Sequence, residues 1–248
     1  MGLFHFGVPP WLLEWATANT TCSVGVETGT FQGNSALLLA ETFGHCTTIE
    51  KDAALAAKAT DRFRDDPRVN VVAASSRDAL PDVCRELTVP AFYWLDGHWS
   101  GGNTAGEDDP CPVMVELAAI SSSPSCADSV VAVDDARLFG FGHDLDPQMR
   151  SFPRMIELLE VIERDLSLES YIVDDVVVAV PARLAASFKQ LAVDVTLRQH
   201  TFLAPVWDDV EAAVVQRSVK PVAPAEVAAA AVPHGRAKGF LRAGRKRR

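Results

Sequence analysis

Short apolar runs rich in β-branched residues alternate with amphipathic stretches between residues 23 and 133. Runs of this length predict buried strands, and the amphipathic stretches between them predict the crossover helices of βαβ units. The pattern therefore predicts an open, mostly parallel sheet with helices on both faces. The predicted strands are 23–27, 46–50, 69–74, 91–95 and 129–133, and the predicted helices are 33–43, 52–64 with Asp52 as its N-cap, 77–87 and 112–120.

The region after the fifth predicted strand is less regular. Residues 151–166 predict another amphipathic helix. The segment 171–181 (YIVDDVVVAVP) fits either a tight hairpin that turns at Asp174-Asp175 or a single strand followed by another at 193–198. The hairpin would complete a seven-stranded α/β sheet with an antiparallel last strand.

These segments predict four parts of the chain. Trp11 and Trp15, both near the N-terminus, are four residues apart. They could form a lid over the substrate or pack against the core, and we favour packing against the core. The parts are an N-terminal helical segment at 1–20, a core at 21–181, a helical extension at 182–218 and a basic flexible tail at 219–248.

Composition and charge restrict the class of protein. Hydrophobic residues make up 48% of the chain, which excludes a disordered or fibrous protein, and five cysteines without a CxxC pair indicate reduced thiols. Residues 217–248 carry a net charge of +8 and the rest −18. The tail has one aromatic residue, Phe240, among its basic residues, so nucleic acid is a disfavoured partner, whereas the acidic body of a neighbouring subunit in a homodimer could bind the tail.

Targeting signals are also informative. The N-terminal stretch is apolar but lacks the basic region of a secretory signal, and no stretch is long enough to span a bilayer. We therefore predict a cytoplasmic protein without a membrane partner.

The densest motif is the segment 26–33 (VETGTFQG), a strand that ends in an acid and a glycine turn and leads into a helix. Ligands of open parallel sheets bind beyond the carboxyl ends of the strands, and Glu50 ends the next strand at the spacing at which a carboxylate meets ribose hydroxyls. The phosphate fingerprint GxGxxG is missing, and Glu27 would repel phosphates. The motif favours a cofactor with adenosine and a cationic group but no phosphate.

On these residues the chain resembles class I S-adenosylmethionine-dependent methyltransferases over about residues 20–180. The resemblance implies a Rossmann-like, doubly wound sheet, with Gly29 facing the methionine portion, Glu50 the ribose and Glu27 the amino group. A Rossmann-like fold that binds an unrelated nucleotide is the alternative. The implied cofactor site is Glu27, Thr28, Gly29, Thr30, Phe31, Gly33, Glu50, Lys51, Ser75, Ser76 and Asp96.

Acidic residues also follow the fourth and fifth predicted strands. Asp96, Asp134 and Asp135 would repel one another at one edge of the sheet unless protonated or bridged by a cation, and oxygen ligands suit Mg²⁺ or another hard divalent cation. The arrangement resembles metal-dependent O-methyltransferases of the catechol and macrocin types. The strings LDGHWSGG and DDARLFG are more similar to the bacterial sugar-modifying relatives.

Methyl transfer to oxygen needs a hydroxyl that loses its proton, and a cation beside it assists that loss. The catechol enzymes use a lysine shortly after the strand-four aspartate, whereas this chain has none in that stretch. The candidate bases are therefore Asp96, His98 and His143. Trp99 and Arg137 are the predicted substrate contacts, and the loop 101–110 is either a mobile flap or a solvated turn.

The sequence thus predicts an O-methyltransferase that acts on a saccharide hydroxyl in a bacterial polysaccharide or glycosylated-metabolite pathway. A phenolic or catecholic acceptor is the alternative within the same class. A nucleotide-binding module with a nucleic-acid-binding tail is the alternative outside it, and truncating residues 219–248 would separate it from an enzyme centred on Asp96.

Overall fold

The computed structural model describes residues 7–98, 110–145 and 150–198. The chain divides into a compact unit of residues 1–203 and a second unit of residues 204–248, which lies outside the described residues. The predicted basic tail and most of the loop 101–110 also lie outside them. The four-part division of the chain stays a prediction.

Seven strands form one sheet in the order β3-β2-β1-β4-β5-β7-β6. The first five pair in parallel, and β7 pairs antiparallel with both β5 and β6. This arrangement confirms the predicted Rossmann-like, doubly wound fold. The strands are β1 Val24–Thr28, β2 Cys46–Glu50, β3 Val69–Ala73, β4 Ala91–Leu95, β5 Val130–Val133, β6 Glu169–Val173 and β7 Val176–Val180.

The helices lie on both faces of this sheet. They are α1 Pro10–Asn19, α2 Asn34–Phe43, α3 Ala53–Arg62, α4 Ser76–Glu86, α5 Val113–Ser121, α6 Ala136–Leu145, α7 Met155–Val161 and α8 at 185–198. Asp52 caps α3 as predicted, because its Oδ1 accepts hydrogen bonds from Ala54 N and Leu55 N at 2.8 Å each. None of the described helices is long and apolar enough to cross a bilayer.

The hairpin interpretation of 171–181 is confirmed, with β6 and β7 joined at Asp174-Asp175. The alternative strand at 193–198 is wrong, since these residues are helical and belong to α8. Asp174 supplies the left-handed conformation that a tight turn needs, with φ 56°.

Two helical regions differ from the sequence prediction. The predicted helix 151–166 begins only at Met155, because Pro153 disfavours helical backbone at the residue before it, and its last turn, Ile162–Leu166, is a π-helix. The stretch 140–144 (GFGHD), which the sequence suggested to be flexible, lies within α6. Its glycines lower helix propensity, and contacts from the β6–β7 hairpin compensate.

The sheet separates two apolar clusters. One packs β-strand side chains against α4, α5 and α7, and the other packs the opposite face against α1, α2 and α8. Trp15 of α1 is buried, and its ring lies edge-on to Phe188 with the centroids 4.8 Å apart. Both faces are therefore covered, which leaves the carboxyl edge of the parallel strands as the place for chemistry.

Candidate active site

The carboxyl ends of β1, β2, β4 and β5 meet at one edge of the sheet. β1 and β4 are neighbours at its centre, where the order of the strands reverses. Backbone hydrogen bonds continue past the strand ends, from Asp96 N to Thr28 O at 3.0 Å and from Asp134 N to Leu95 O at 3.1 Å. The residues just beyond β1, β4 and β5 are therefore held in register, which is the arrangement that the sequence predicted.

The loop after β1 contacts the end of β4. Gly29 has φ 85°, and a Cβ added there would lie 2.8 Å from the Asp96 carbonyl carbon and closer still to its oxygen. Gly29 has no Cβ, and we expected the free space beside its backbone to admit a ligand. The Asp96 backbone occupies the space that a Cβ would take. Gly33 has φ 78° and an added Cβ would meet the Phe63 ring, so it lets α2 begin beside α3.

Glu27 is buried beneath this loop, with 1% of its surface exposed. Thr48 Oγ1 donates a hydrogen bond to Glu27 Oε2 at 2.5 Å, and Thr30 Oγ1 lies 2.6 Å from Thr48 Oγ1. Burial and the nearby charges of Asp96 and Glu50 raise the pKa of Glu27 well above its usual value, against the lowering effect of Thr48. Burial therefore favours the protonated form of Glu27.

Glu50 ends β2 and fixes two backbone segments. Its Oε2 accepts a hydrogen bond from Phe31 N and its Oε1 one from Asp52 N, both at 2.9 Å. Each carboxylate oxygen can accept a second bond, so these contacts leave acceptor capacity toward a ligand. The Phe31 side chain is 57% exposed, and its φ of 47° is unusual for a residue with a large side chain.

The other predicted cofactor residues lie at or near the ends of β1, β2 and β3. Lys51 is exposed after β2, Ser75 precedes α4 and Ser76 is buried in its first turn. Thr28 is fully buried, and its Oγ1 has no hydrogen-bond partner among the described residues. No contact tests whether these residues bind a cofactor, so their roles stay predictions.

Asp96, His98 and Asp135 form a cluster that could hold a cation, since one potential ligand atom from each lies within 4.8 Å of the others. The predicted trio was Asp96, Asp134 and Asp135. In the structure His98 belongs to the cluster and Asp134 does not. Asp134 is buried, and its Oδ1 accepts a hydrogen bond from Asp135 N at 2.8 Å, which orients it toward the backbone.

The two aspartates that end β4 and β5 resist ionisation. Burial and the charge of Asp135 raise the pKa of Asp96 to about 7, with His98 acting in the opposite direction. Burial, Asp96 and Asp135 raise the pKa of Asp134 to about 8. A carboxyl whose pKa is raised by neighbouring carboxylates would ionise more readily beside an added cation.

His98 is buried between a carboxylate and two aromatic rings. Its Nε2 lies 3.0 Å from Asp135 Oδ2, and the Phe139 and Phe152 ring centroids lie 6.1 and 5.9 Å from its own. Burial lowers the pKa of His98, but the Asp135 hydrogen bond and the charges of Asp96, Asp135 and Asp134 raise it above its usual value. The pKa of Asp135 is lowered despite burial, because His98 and Arg137 stabilise its charge.

Arg137, the predicted substrate contact, is engaged within the protein. Its Nη1 donates to Asp135 Oδ1 at 2.5 Å and also to Asp175 Oδ2. Its side chain is one-third exposed, so a further contact with a substrate stays a prediction.

Two predicted residues lie outside what can be described. Trp99 falls outside the described residues, and for His143 only the helical backbone of α6 is described. No geometric statement about either side chain follows.

Sequence reasoning missed two acidic residues. Asp175 was interpreted only as a turn residue, although it contacts the start of α6 and the Arg137 side chain. Glu116 is 2% exposed on α5 and is one of the charges that raise the pKa of Asp96. A signal was present for Glu116, since an acid in the otherwise apolar helix VMVELAAIS invites a polar partner.

No family model and no curated protein matches the chain. Solved structures do match it. A protein from Corynebacterium glutamicum is 13% identical with a TM-score of 0.50, over 69% of this chain and 79% of that one. The S-adenosylhomocysteine-bound Podospora anserina methyltransferase PaMTH1 is 15% identical with a TM-score of 0.49, over 68% and 76% of the two chains.

A third match is NcsB1, an O-methyltransferase from neocarzinostatin biosynthesis. It is 19% identical with a TM-score of 0.43, over 66% of this chain and 49% of that one. At these identities the similarity to the Corynebacterium protein shows a shared fold, and the chemistry has to be argued from the residues of the site.

Proposed function

We propose that this protein is an S-adenosylmethionine-dependent O-methyltransferase assisted by a divalent cation. One observation carries the proposal, which is the juxtaposition of the Gly29 loop with the cluster of Asp96, His98 and Asp135 at the reversal point of the sheet. A cofactor beside the first and an acceptor beside the second would be adjacent. Adjacency of methyl donor and hydroxyl is the main requirement of this reaction.

The residues around the Gly29 loop fit the proposed cofactor. Glu50 keeps acceptor capacity for ribose hydroxyls while its bonds to Phe31 N and Asp52 N hold the loop. Glu27 is buried under the loop with a raised pKa, and it would ionise more readily when a cationic amino group binds nearby. The exposed Phe31 ring offers an apolar surface at the same loop.

The cluster also fits a hard cation. Two carboxylates and an imidazole are a plausible ligand set. Burial and neighbouring carboxylates raise the pKa values of Asp96 and Asp134, so a bound cation would favour the ionised form of both. A bound divalent cation would stabilise the acceptor oxygen as it loses its proton.

Asp96 is the better candidate to accept that proton. A group with a pKa of about 7 is suited to proton transfer at neutral pH, and Asp96 is partly accessible. His98 is buried, and its Nε2 lies 3.0 Å from Asp135 Oδ2. We therefore assign His98 to holding Asp135 in place, and His143 keeps no observation in its favour.

The acceptor is the least constrained part of the proposal. We propose a saccharide hydroxyl, supported by the resemblance of LDGHWSGG and DDARLFG to bacterial sugar-modifying enzymes. A cytoplasmic location, a bacterial biosynthetic pathway and a homodimer are further proposals that rest on the sequence alone. A phenolic acceptor is the alternative that an acceptor assay must include.

Calorimetry on the full-length chain tests the proposal. Wild type should bind S-adenosylhomocysteine and Mn²⁺, each without the other. Glu50→Gln should weaken S-adenosylhomocysteine binding by roughly 10-fold and leave Mn²⁺ binding unchanged, because its amide nitrogen would face a backbone N–H. Asp135→Asn should weaken Mn²⁺ binding by about 100-fold and leave S-adenosylhomocysteine binding unchanged.

Asp82→Asn is the matched control, since Asp82 is exposed and forms a surface ion pair with Arg85 three residues on. It should change neither affinity. If wild type bound ATP and not S-adenosylhomocysteine, the nucleotide-binding alternative would replace the proposal. Incubation with S-adenosylmethionine and either simple glycosides or catechols, followed by mass spectrometry, then separates the two acceptor classes.

A further inference from the structure

Asp175 binds the start of α6 from the β6–β7 hairpin. Its backbone oxygen accepts a hydrogen bond from Ala136 N at 2.7 Å, and its Oδ1 accepts one from Arg137 N at 2.9 Å. The first amides of a helix have no partner within the helix, so Asp175 caps α6 from a distant part of the chain. It is buried, with 7% of its surface exposed.

The second carboxylate oxygen of Asp175 makes a different contact. It accepts a hydrogen bond from Arg137 Nη1, and the same nitrogen donates to Asp135 Oδ1 at 2.5 Å. Asp135 Oδ2 in turn lies 3.0 Å from His98 Nε2. A continuous row of charged hydrogen bonds therefore runs from the hairpin through Arg137 and Asp135 to His98.

Asp135 needs such support. Its backbone has φ 54°, a left-handed conformation that costs a non-glycine residue free energy and persists only where neighbouring contacts enforce it. Ala136 N and Arg137 N, the two amides that follow it, are both held by Asp175. The hairpin thus fixes both the backbone and one carboxylate oxygen of Asp135.

We propose that Asp175 is a positioning residue that orients Asp135, through Arg137, for divalent cation binding. The inference rests on the proposed function, because it assumes that Asp135 binds a cation. Asp175 itself does not belong to the Asp96, His98 and Asp135 cluster. It acts by keeping the Arg137 guanidinium on the outer oxygen of Asp135, which holds the carboxylate plane toward His98 and Asp96.

The substitution Asp175→Asn separates this role from helix capping. Asparagine keeps a side-chain oxygen for Arg137 N and the backbone oxygen for Ala136 N. The oxygen that accepts from Arg137 Nη1 becomes an amide nitrogen, which donates and so opposes the guanidinium. A residue that only caps α6 would tolerate this change, whereas a residue that positions Arg137 would not.

Mn²⁺ affinity of the full-length chain, measured by calorimetry and by electron paramagnetic resonance, is the test. Asp175→Asn should weaken Mn²⁺ binding by about 10-fold, the lower end of effects from residues behind metal ligands. Asp174→Asn is the matched control in the same turn, because asparagine also accepts the left-handed conformation and Asp174 is not in the row. Its Mn²⁺ affinity should equal that of wild type.

Arg137→Lys provides a second variant in case Asp175→Asn does not fold. A lysine keeps the charge, but its side chain is one atom shorter than that of arginine and would not place a nitrogen where Arg137 Nη1 contacts both carboxylates, so it should also weaken Mn²⁺ binding several-fold. Unchanged S-adenosylhomocysteine affinity shows that each variant is folded.

The outcomes separate the inference from the proposed function. Wild-type Mn²⁺ affinity in both Asp175→Asn and Arg137→Lys overturns the inference and leaves the proposed function intact. Absence of Mn²⁺ binding in wild type overturns the inference together with the cation part of the proposed function. Equal losses in Asp175→Asn and Asp174→Asn overturn the inference, because they indicate a general disturbance of the turn.

Discussion

The site contains two groups of carboxyls that the protein treats differently. At the ends of β1 and β2, Glu27 and Glu50 are satisfied by neutral donors, the Thr48 hydroxyl and two backbone amides. At the ends of β4 and β5, Asp135 is satisfied by the guanidinium of Arg137 and the imidazole of His98. Neutral donors satisfy the first pair of carboxyls without any ion. The second site contains charged hydrogen bonds, so its chemistry should depend on which of its groups are ionised.

The difference assigns separate tasks to the two groups. The first group shapes a loop, since Glu50 accepts a hydrogen bond from Phe31 N and Glu27 accepts one from Thr48 Oγ1. In the second group, burial and neighbouring carboxylates raise the pKa of Asp96 to about 7 and that of Asp134 to about 8, even with His98 and Arg137 nearby. Cofactor binding should therefore depend on loop geometry, and cation binding on ionisation.

The largest expected effect lies where the two groups touch, at Gly29. Gly29→Ala should lower the free energy of unfolding by about 3 kcal/mol, because the added methyl would meet the Asp96 backbone and the φ of 85° is strained for alanine. Chemical denaturation measures this change.

Gly44→Ala is the control for the backbone strain alone. Gly44 has a similar φ of 83°, but an added Cβ would meet nothing within 4 Å. Gly44→Ala should lower the free energy of unfolding by about 1 kcal/mol. Equal effects of the two substitutions would show that the loop and the end of β4 are not in tight contact.

The second effect concerns ionisation of the group at β4 and β5. Asp96 and Asp134 have pKa values of about 7 and 8 in the folded chain, against 3.8 as the ordinary value. The folded state binds more protons than the unfolded state between these limits, so stability without a cation is highest near pH 4 and falls as pH rises to about 8. Added Mg²⁺ should restore stability at pH 8 and have little effect at pH 5.

Asp134→Asn tests this explanation. Asparagine keeps the oxygen that accepts from Asp135 N but cannot ionise. In EDTA the variant should be more stable than wild type at pH 8, by an amount on the order of 2 kcal/mol, and equally stable at pH 5. If the variant were no more stable than wild type at pH 8, the ionisation of Asp134 would not be what destabilises the folded protein at that pH. Asp82→Asn, on the exposed surface, should be as stable as wild type at both pH values.

The smallest effect is expected at Phe31, on the loop shaped by Glu50. Phe31→Ala should change stability by less than about 0.5 kcal/mol, because the side chain is 57% exposed. S-adenosylhomocysteine affinity should fall a few-fold through loss of an apolar contact, as calorimetry would show. Leu38→Ala, exposed on α2, is the control and should leave the affinity unchanged.

Local sequence signals predicted most of the fold. Each of the five parallel strands lies within one residue of its predicted bounds, because a buried strand is an uninterrupted apolar run. Asp52 was recognisable as a cap since a cap acts within three residues. The hairpin at Asp174-Asp175 needed the structure to exclude the single-strand alternative.

Non-local contacts account for what was missed. The helix α6 has glycines that argue against it, and the partners of its first amides come from Asp175, 38 residues beyond Arg137. The cluster of Asp96, His98 and Asp135 differs from the predicted trio for a related reason. The left-handed Asp135 and the buried rings of Phe139 and Phe152 decide which side chains face one another.

The sequence by itself determined the strand and helix pattern and brought the acids after β1, β2, β4 and β5 to one edge, because parallel strands present their carboxyl ends together. The tertiary structure decided the state of those acids. Burial, the hydrogen bonds of Glu27 and the ion pairs of Asp135 depend on residues far apart in the chain. Ionisation follows from the surroundings of a carboxyl in three dimensions, which no spacing along the chain specifies.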